Sequence, residues 1–211
     1  MENQIPVQDW TLPGEPFRLA AVATDAADWA ALLPAAAQAR MARFTEAAGR
    51  NQAGASEWLK TCWLPRELGL ERVEFTTGPN GKPLLAGAAA DWDFNLSHAR
   101  THAVAVLARG GAVGVDLESL ARQADIARLG ERVLSDSEKV LVQGGGREAF
   151  FTLWSQKEAL LKALGCGWAD GSIVRRTRLE PVPLQVEPTT GVRIWSRRVL
   201  GGSHALAVAL K

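Results

Sequence analysis

The chain has 211 residues, 47% of them hydrophobic and 22% charged, with a formal net charge of +1. That length and apolar content predict a buried core, in one domain or two small ones, rather than a disordered chain. The near-neutral balance excludes a globally basic nucleic-acid binder, and the absence of any run of eighteen apolar residues or of a basic-then-apolar start predicts a cytoplasmic protein with no membrane span.

In chain order, Phe17 to Ala23 alternates as a strand, and Asp25 stands where it would cap a helix over residues 26–33. Residues 35–48 and 55–68 read as helices, the first broken by Gly49 and the second closed near Gly69. Cys62 lies in the second of these; with Cys166 it makes only two cysteines, too few for a disulfide framework and without a histidine cluster for zinc. Strands follow at 73–75, 92–96 and 102–107, with the turn Gly78-Pro79-Asn80-Gly81 between the first two. A hinge is expected near Arg109-Gly110-Gly111, dividing the chain into halves 1–110 and 111–211.

The run Val113 to Glu118 reads as a strand on which Asp116 and Glu118 share a face, so that their mutual repulsion favours a bound cation. Gly144-Gly145-Gly146 lacks the lysine and hydroxyl residue that complete a phosphate loop, and reads as a flexible connection. From Glu148 to Leu164 a long helix is expected. On it Trp154, Glu158 and Lys162 recur at four-residue spacing, adding a third carboxylate and an ammonium group to one face, while Trp154 beside Phe150 and Phe151 reads as core packing. Three oxygen ligands beside a lysine suit Mg²⁺ chemistry on a phosphate. Each piece alone has a plainer reading: a solvated strand face for Asp116 and Glu118, and a surface ion pair for Glu158 and Lys162. At the carboxyl end, Ser203 to Leu210 closely matches Thr101 to Ala108, which suggests an internal duplication.

The run G-V-D-L-E at 114–118, followed by W-S-Q-K-E-A-L-L-K at 154–162, resembles the paired signature of the 4′-phosphopantetheinyl transferases of the Sfp type. Gly81-Lys82-Pro83 resembles that family's G-K-P turn, Phe94-Asn95-Leu96-Ser97-His98 its F-N-[IL]-S-H element, and Arg40-Met41-Ala42-Arg43-Phe44 its basic R-F helix. The resemblance runs from roughly residue 35 to 168.

This resemblance implies an α/β (α+β) fold of two similar halves with pseudo-twofold symmetry and a site between them. It also implies transfer of the phosphopantetheine arm from coenzyme A to a serine of an apo acyl or peptidyl carrier protein, with release of adenosine 3′,5′-bisphosphate. Mg²⁺, with Mn²⁺ as an alternative, would be held by Asp116, Glu118 and Glu158. Asp116, Glu158 and Lys162 form the catalytic set: Glu158 is first choice for general base, Lys162 faces the leaving phosphate, and Lys157 contacts a phosphate from the same helix. Lys82, Ser97 and His98 would hold the donor, and Arg40 with Arg43, three apart on one helix face, would grip its 3′-phosphate. There the chain departs from the family pattern, with Gly49 and Gln52 where an acidic residue and a later arginine are usual, and Arg50 as a substitute. An acidic carrier would meet Arg122, Arg128 and Arg132. No nucleic-acid or membrane partner is implied, and the protein is expected to be a monomer. Two other classes compete: a Mg²⁺-dependent nuclease or phosphodiesterase, and a non-catalytic module that binds coenzyme A or a carrier.

Overall fold

The computed structural model describes residues 5–168 and 171–211. The chain divides into two compact units, the first running to Thr76 and resuming over Pro83–Gly110, the second comprising Thr77–Lys82 and Gly111–Lys211.

In the first unit, β1 (Gln8–Asp9), β2 (Phe17–Ala23), β5 (Trp92–His98) and β6 (His102–Arg109) form an antiparallel sheet in the order β1-β2-β6-β5. The short strands β3 (Glu74–Thr77) and β4 (Pro83–Ala86) pair separately. The interior strand β6 is buried from Ala103 to Ala108, as expected of a continuous apolar run with neighbours on both edges. Its Ala103, Ala105 and Leu107 join one core with Trp29, Leu59 and Trp63.

The helices of this unit are α1 (Trp29–Leu32), α2 (Ala35–Met41), α3 (Ala47–Trp58) and α4 (Leu64–Leu68), with a π turn at Leu59–Trp63 joining the last two. Asp28, not Asp25, caps α1: its side chain accepts the Ala30 amide hydrogen bond. The helix expected over 35–48 ends at Met41, and Gly49 lies inside α3 instead of breaking a helix. Gly54 is the glycine that matters in α3, because a Cβ there would lie 2.5 Å from the Cβ of Trp29. Gly69, in the left-handed region at φ 67°, closes α4 as its sequence position predicts.

The second unit contains β7 (Val113–Ser119), α5 (Ile126–Val133), α6 (Asp136–Leu164), α7 (Gly171–Arg176), β8 (Leu184–Val186), β9 (Arg193–Val199) and β10 (His204–Leu210). Its sheet is also antiparallel, in the order β7-β10-β9-β8. The matched sequence segments are therefore β6 and β10. Each pairs on one side with the strand that precedes it in the chain and on the other with the first long strand of its unit.

Helix α6 starts twelve residues before the expected Glu148, at a capping box: the Ser135 amide donates to Glu138 Oε2 at 2.7 Å and the Ser135 hydroxyl accepts from the Glu138 amide. Gly144 and Gly145 are helical, so the triple glycine is not a loop. The run is interrupted at Gly146, whose φ of 58° and ψ of −145° only glycine adopts readily. Beyond it, Phe150, Phe151, Leu153 and Leu160 are buried, each contributing about 1.5–3 kcal/mol to the core they share with Ala205, Ala207 and Ala209 of β10. Those three alanines, alternating on one face of β10, let the helix approach the sheet closely. No disulfide joins Cys62 and Cys166. Among the described residues no helix is long and apolar enough to cross a membrane.

Candidate active site

Gly114 sets the geometry of this region. A Cβ at that position would lie 2.1 Å from the carbonyl oxygen of Ala159 and 2.5 Å from the amide nitrogen of Ala163, so β7 rests directly on the backbone of α6. This close approach brings the ammonium of Lys162 to Asp116 Oδ1 at 2.8 Å and to the carbonyl of Val115 at 2.9 Å. Asp116 is 5% exposed, and the pair is therefore a partly buried, charge-assisted contact rather than a surface ornament.

The other two carboxylates have different partners. Glu118 accepts from Arg122 Nη1 at 2.6 Å, and Glu158 Oε1 accepts from the indole N–H of Trp168 at 2.6 Å. Burial, then the charge of Asp116, pushes the Glu118 carboxyl up from 4.5 to about 7; Glu158 adds to the rise, and Arg122 and the Trp154 indole oppose it. Glu158 is raised too, first by burial and then by Asp116, against the pull of Lys162, Trp168 and Arg122. After burial, the charge of Asp116 is thus what raises both glutamates, and that is the electrostatic condition a hard divalent cation relieves.

The sequence pattern suggested a metal platform of Asp116, Glu118 and Glu158, and the structure places these side chains on β7 and α6, each with its own donor. Among the described residues no three acidic, histidine or cysteine side chains converge as they stand into a group able to hold a metal ion. The reason is that Lys162, Arg122 and Trp168 each draw one carboxylate to a separate donor. The donor set fits a hard cation in kind, being all carboxylate oxygen, with two members raised first by burial and then by Asp116.

The burial of Glu118 beside Asp116 has a measurable consequence in the metal-free protein. Because the folded Glu118 holds its proton more tightly than the unfolded chain, its contribution to stability is lost as pH rises from about 4.5 to about 7. Glu118→Gln is therefore expected to match wild type near the lower limit and to be more stable by about 2–3 kcal/mol above the upper one. Urea unfolding of both proteins at pH 5 and pH 8 checks this, and a difference that does not grow with pH refutes it.

A family model described as the 4′-phosphopantetheinyl transferase superfamily matches residues 112–209, the segment that carries these carboxylates. The 4′-phosphopantetheinyl transferase HetI of a Nostoc species is 32% identical over 171 residues, covering 76% of this chain and 72% of that protein. The chain belongs to the 4′-phosphopantetheinyl transferase superfamily. Psf-1 of Bacillus pumilus, also named a 4′-phosphopantetheinyl transferase, is 36% identical over 108 residues, covering 49% of this chain and 45% of its own. AcpT of Salmonella typhimurium, of the same name, is 30% identical over 115 residues, 50% of this chain and 59% of its own.

In this transferase-family chain, Lys157 does not do what the resemblance implied. Its side chain is 1% exposed, and its ammonium pairs with Glu138 at 3.0 Å while donating to the Val174 carbonyl at 2.7 Å and to Thr177. A group so enclosed cannot reach a phosphate on a bound substrate. It ties the capped start of α6 and the chain around α7 to the middle of the long helix. Burial pulls the Lys157 pKa down, and the Glu138 carboxylate opposes that pull.

The basic-helix expectation is also revised. Arg40 makes a bidentate contact with Glu57 of α3, at 2.7 and 2.6 Å, and Arg43 is exposed in the turn beyond the end of α2, so the two do not share a helix face. Arg50 closes that same turn by donating to the carbonyls of Phe44 and Thr45. Ser97, 8% exposed, and exposed His98 end β5. In the second unit, Lys82 donates to the carbonyl of Val113 at 3.1 Å, and Asn80 donates to that of Gly165 at 2.7 Å. These bonds anchor the 77–82 turn to the start of β7 and the end of α6. Arg128 and Arg132 are exposed on α5, whereas Arg122 is engaged by Glu118.

Two residues of this region, Trp168 and Arg147, escaped the sequence reading, and a third, Arg122, was read there only as a carrier-facing arginine. Arg122, Trp168 and Arg147 lie outside the matched motifs; Arg147 donates through Nε to the Leu120 carbonyl at 2.7 Å and through Nη2 to that of Arg122, holding the loop that carries Arg122. The four-residue spacing of Glu118 and Arg122 was the one available signal, and it is easily mistaken for an ordinary surface pair.

Proposed function

We propose that the chain moves the 4′-phosphopantetheine group of coenzyme A onto the serine of an apo acyl or peptidyl carrier protein, releasing adenosine 3′,5′-bisphosphate. The observation that carries this reading is the contact of Lys162 with Asp116 beside Glu118 and Glu158, in a chain of this superfamily. In the reaction the serine oxygen attacks the phosphorus that bears the pantetheine arm. The bond from that phosphorus to the bridging oxygen breaks, the bisphosphate leaves with that oxygen, and the serine proton passes to a base.

Asp116, Glu118 and Glu158 would hold the divalent cation, Mg²⁺ or Mn²⁺, which supplies charge neutralisation for the pyrophosphate. Glu158 takes the serine proton, directly or through a water. Lys162 keeps positive charge next to the developing phosphate oxygens. Lys82, Ser97, His98 and exposed Arg43 are the donor contacts in this reading. It assigns donor recognition mainly to residues 1–110 and the metal strand with the catalytic helix to 111–211. Arg128 and Arg132 offer an acidic carrier its positive surface.

The test is incubation with coenzyme A, Mg²⁺ and a panel of apo-carriers, read by intact mass. A gain of one phosphopantetheine on the carrier is expected, and no gain on any carrier overturns the reading. In single-turnover runs Glu158→Gln is expected to slow transfer by about 10²-fold or more. An unchanged rate would remove Glu158 from the mechanism.

A further inference from the structure

Trp168 follows the left-handed Gly165 that ends α6, so the chain turns back over the helix it has just left. Its indole N–H donates to Glu158 Oε1 at 2.6 Å. Its ring stacks on Trp154, with centroids 5.0 Å apart and planes at 27°. On the same Trp154 ring sits the guanidinium of Arg122, 5.6 Å from the centroid, and that guanidinium holds Glu118. The three side chains make a column whose two ends grip carboxylates from two different elements, Glu118 on β7 and Glu158 on α6. Both indoles also line a cleft of about 570 Å³ with Leu129, Val133 and Val174, which gives the rings apolar support.

We infer that Trp168 is a positioning residue for Glu158, fixing one carboxylate oxygen and leaving the other for the chemistry. This rests on the transferase reading given above. A glutamate on a helix face has several rotamers, and a donor to one oxygen removes that freedom before substrate arrives. The identity of the donor matters. Lysine or arginine would neutralise the carboxylate and compete with a cation for it, whereas indole donates one hydrogen bond without carrying a charge and accepts none. Its stacking on Trp154 holds the N–H in place, so the orientation does not depend on a single flexible side chain. Arg122 at the other end of the column does carry a charge, so the two grips differ in kind: Glu118 is held by a charged donor and Glu158 by a neutral one.

The experiment removes the N–H and keeps the ring. Trp168→Phe, and Trp168 replaced by benzothienylalanine, an isostere with sulfur in place of the indole nitrogen, are compared with wild type for Mn²⁺ affinity by electron paramagnetic resonance, for melting temperature, and for kcat and KM. The expected result is Mn²⁺ binding weaker by about 10-fold or more in both, with kcat reduced and the KM for coenzyme A little changed. The benzothienylalanine protein is expected to melt like wild type, which separates orientation of the carboxylate from support of the fold. Wild-type Mn²⁺ affinity in the benzothienylalanine protein overturns the assignment. Failure of the transferase reading would instead appear in the wild-type protein, as absence of both Mn²⁺ binding and carrier modification.

Discussion

Asp116→Asn is expected to lower kcat/KM for carrier modification by about 10³-fold while leaving the melting temperature within a few degrees of wild type. The substitution keeps the shape of the side chain and an oxygen for Lys162, whose ammonium also retains the Val115 carbonyl at 2.9 Å. What it removes is the charge at the centre of the cluster. The charge of Asp116 raises both of the other carboxylates, so its loss relieves Glu118 and Glu158 together and weakens their hold on a cation. It also takes from the partly buried Lys162 the carboxylate charge 2.8 Å away, the expected source of the small stability change. Single-turnover transfer and calorimetry check the two halves of the statement. Activity within tenfold of wild type would show that Asp116 is a structural partner for Lys162 and nothing more.

Gly114→Ala is expected to destabilise the protein by about 3 kcal/mol and to lower its melting temperature by about 10 °C. The added methyl would meet the carbonyl oxygen of Ala159 and the amide nitrogen of Ala163, both backbone atoms, so no side-chain rotation makes room for it. Either β7 or α6 must move, and the 2.8 Å contact between Lys162 and Asp116 spans the two. Activity should therefore fall further than the loss of folded protein explains. Gly144→Ala is the matched control: its Cβ would meet nothing within 4 Å, and in a helical position alanine should stabilise by roughly 0.5–1 kcal/mol. Equal melting temperatures for the two variants would refute the close-packing account.

The residue types of the site were legible because they lie on regular elements with short periods. Asp116 and Glu118 alternate with apolar residues on β7, and Glu158 and Lys162 are one turn apart on α6, so their chemistry could be read without any distant contact. The role of Lys157 could not be read in the same way. Adjacent helix residues point about 100° apart, so if Glu158 faces β7 its neighbour faces elsewhere, but whether that direction is water or core depends on what packs there. Here it is Glu138, brought back by the interruption at Gly146, with Val174 and Thr177 completing the enclosure. The capping box that positions Glu138 was visible as Ser135-x-x-Glu138; its buried partner was not.

The same division runs through the rest of the molecule. Local pattern located several of the strands and helices, though not the start of α6 or the end of α2, and determined that the chain would have a mixed α/β fold and which family it belongs to, because periodicity, turn residues and motif spacing are properties of neighbouring residues. Where local signals were equivocal the boundaries slipped, as with Asp25 for Asp28 and with Gly49, a residue that α3 accommodates. Only the tertiary structure decided which donor meets which carboxylate: Arg40 with Glu57, Lys162 with Asp116, Arg122 with Glu118 and Trp168 with Glu158. The pairing of Lys162 with Asp116 needs backbone brought within a few ångströms by packing, as Gly114 does for β7 and α6. A charged side chain in the sequence is equally consistent with water, a partner or a substrate until that packing removes the water.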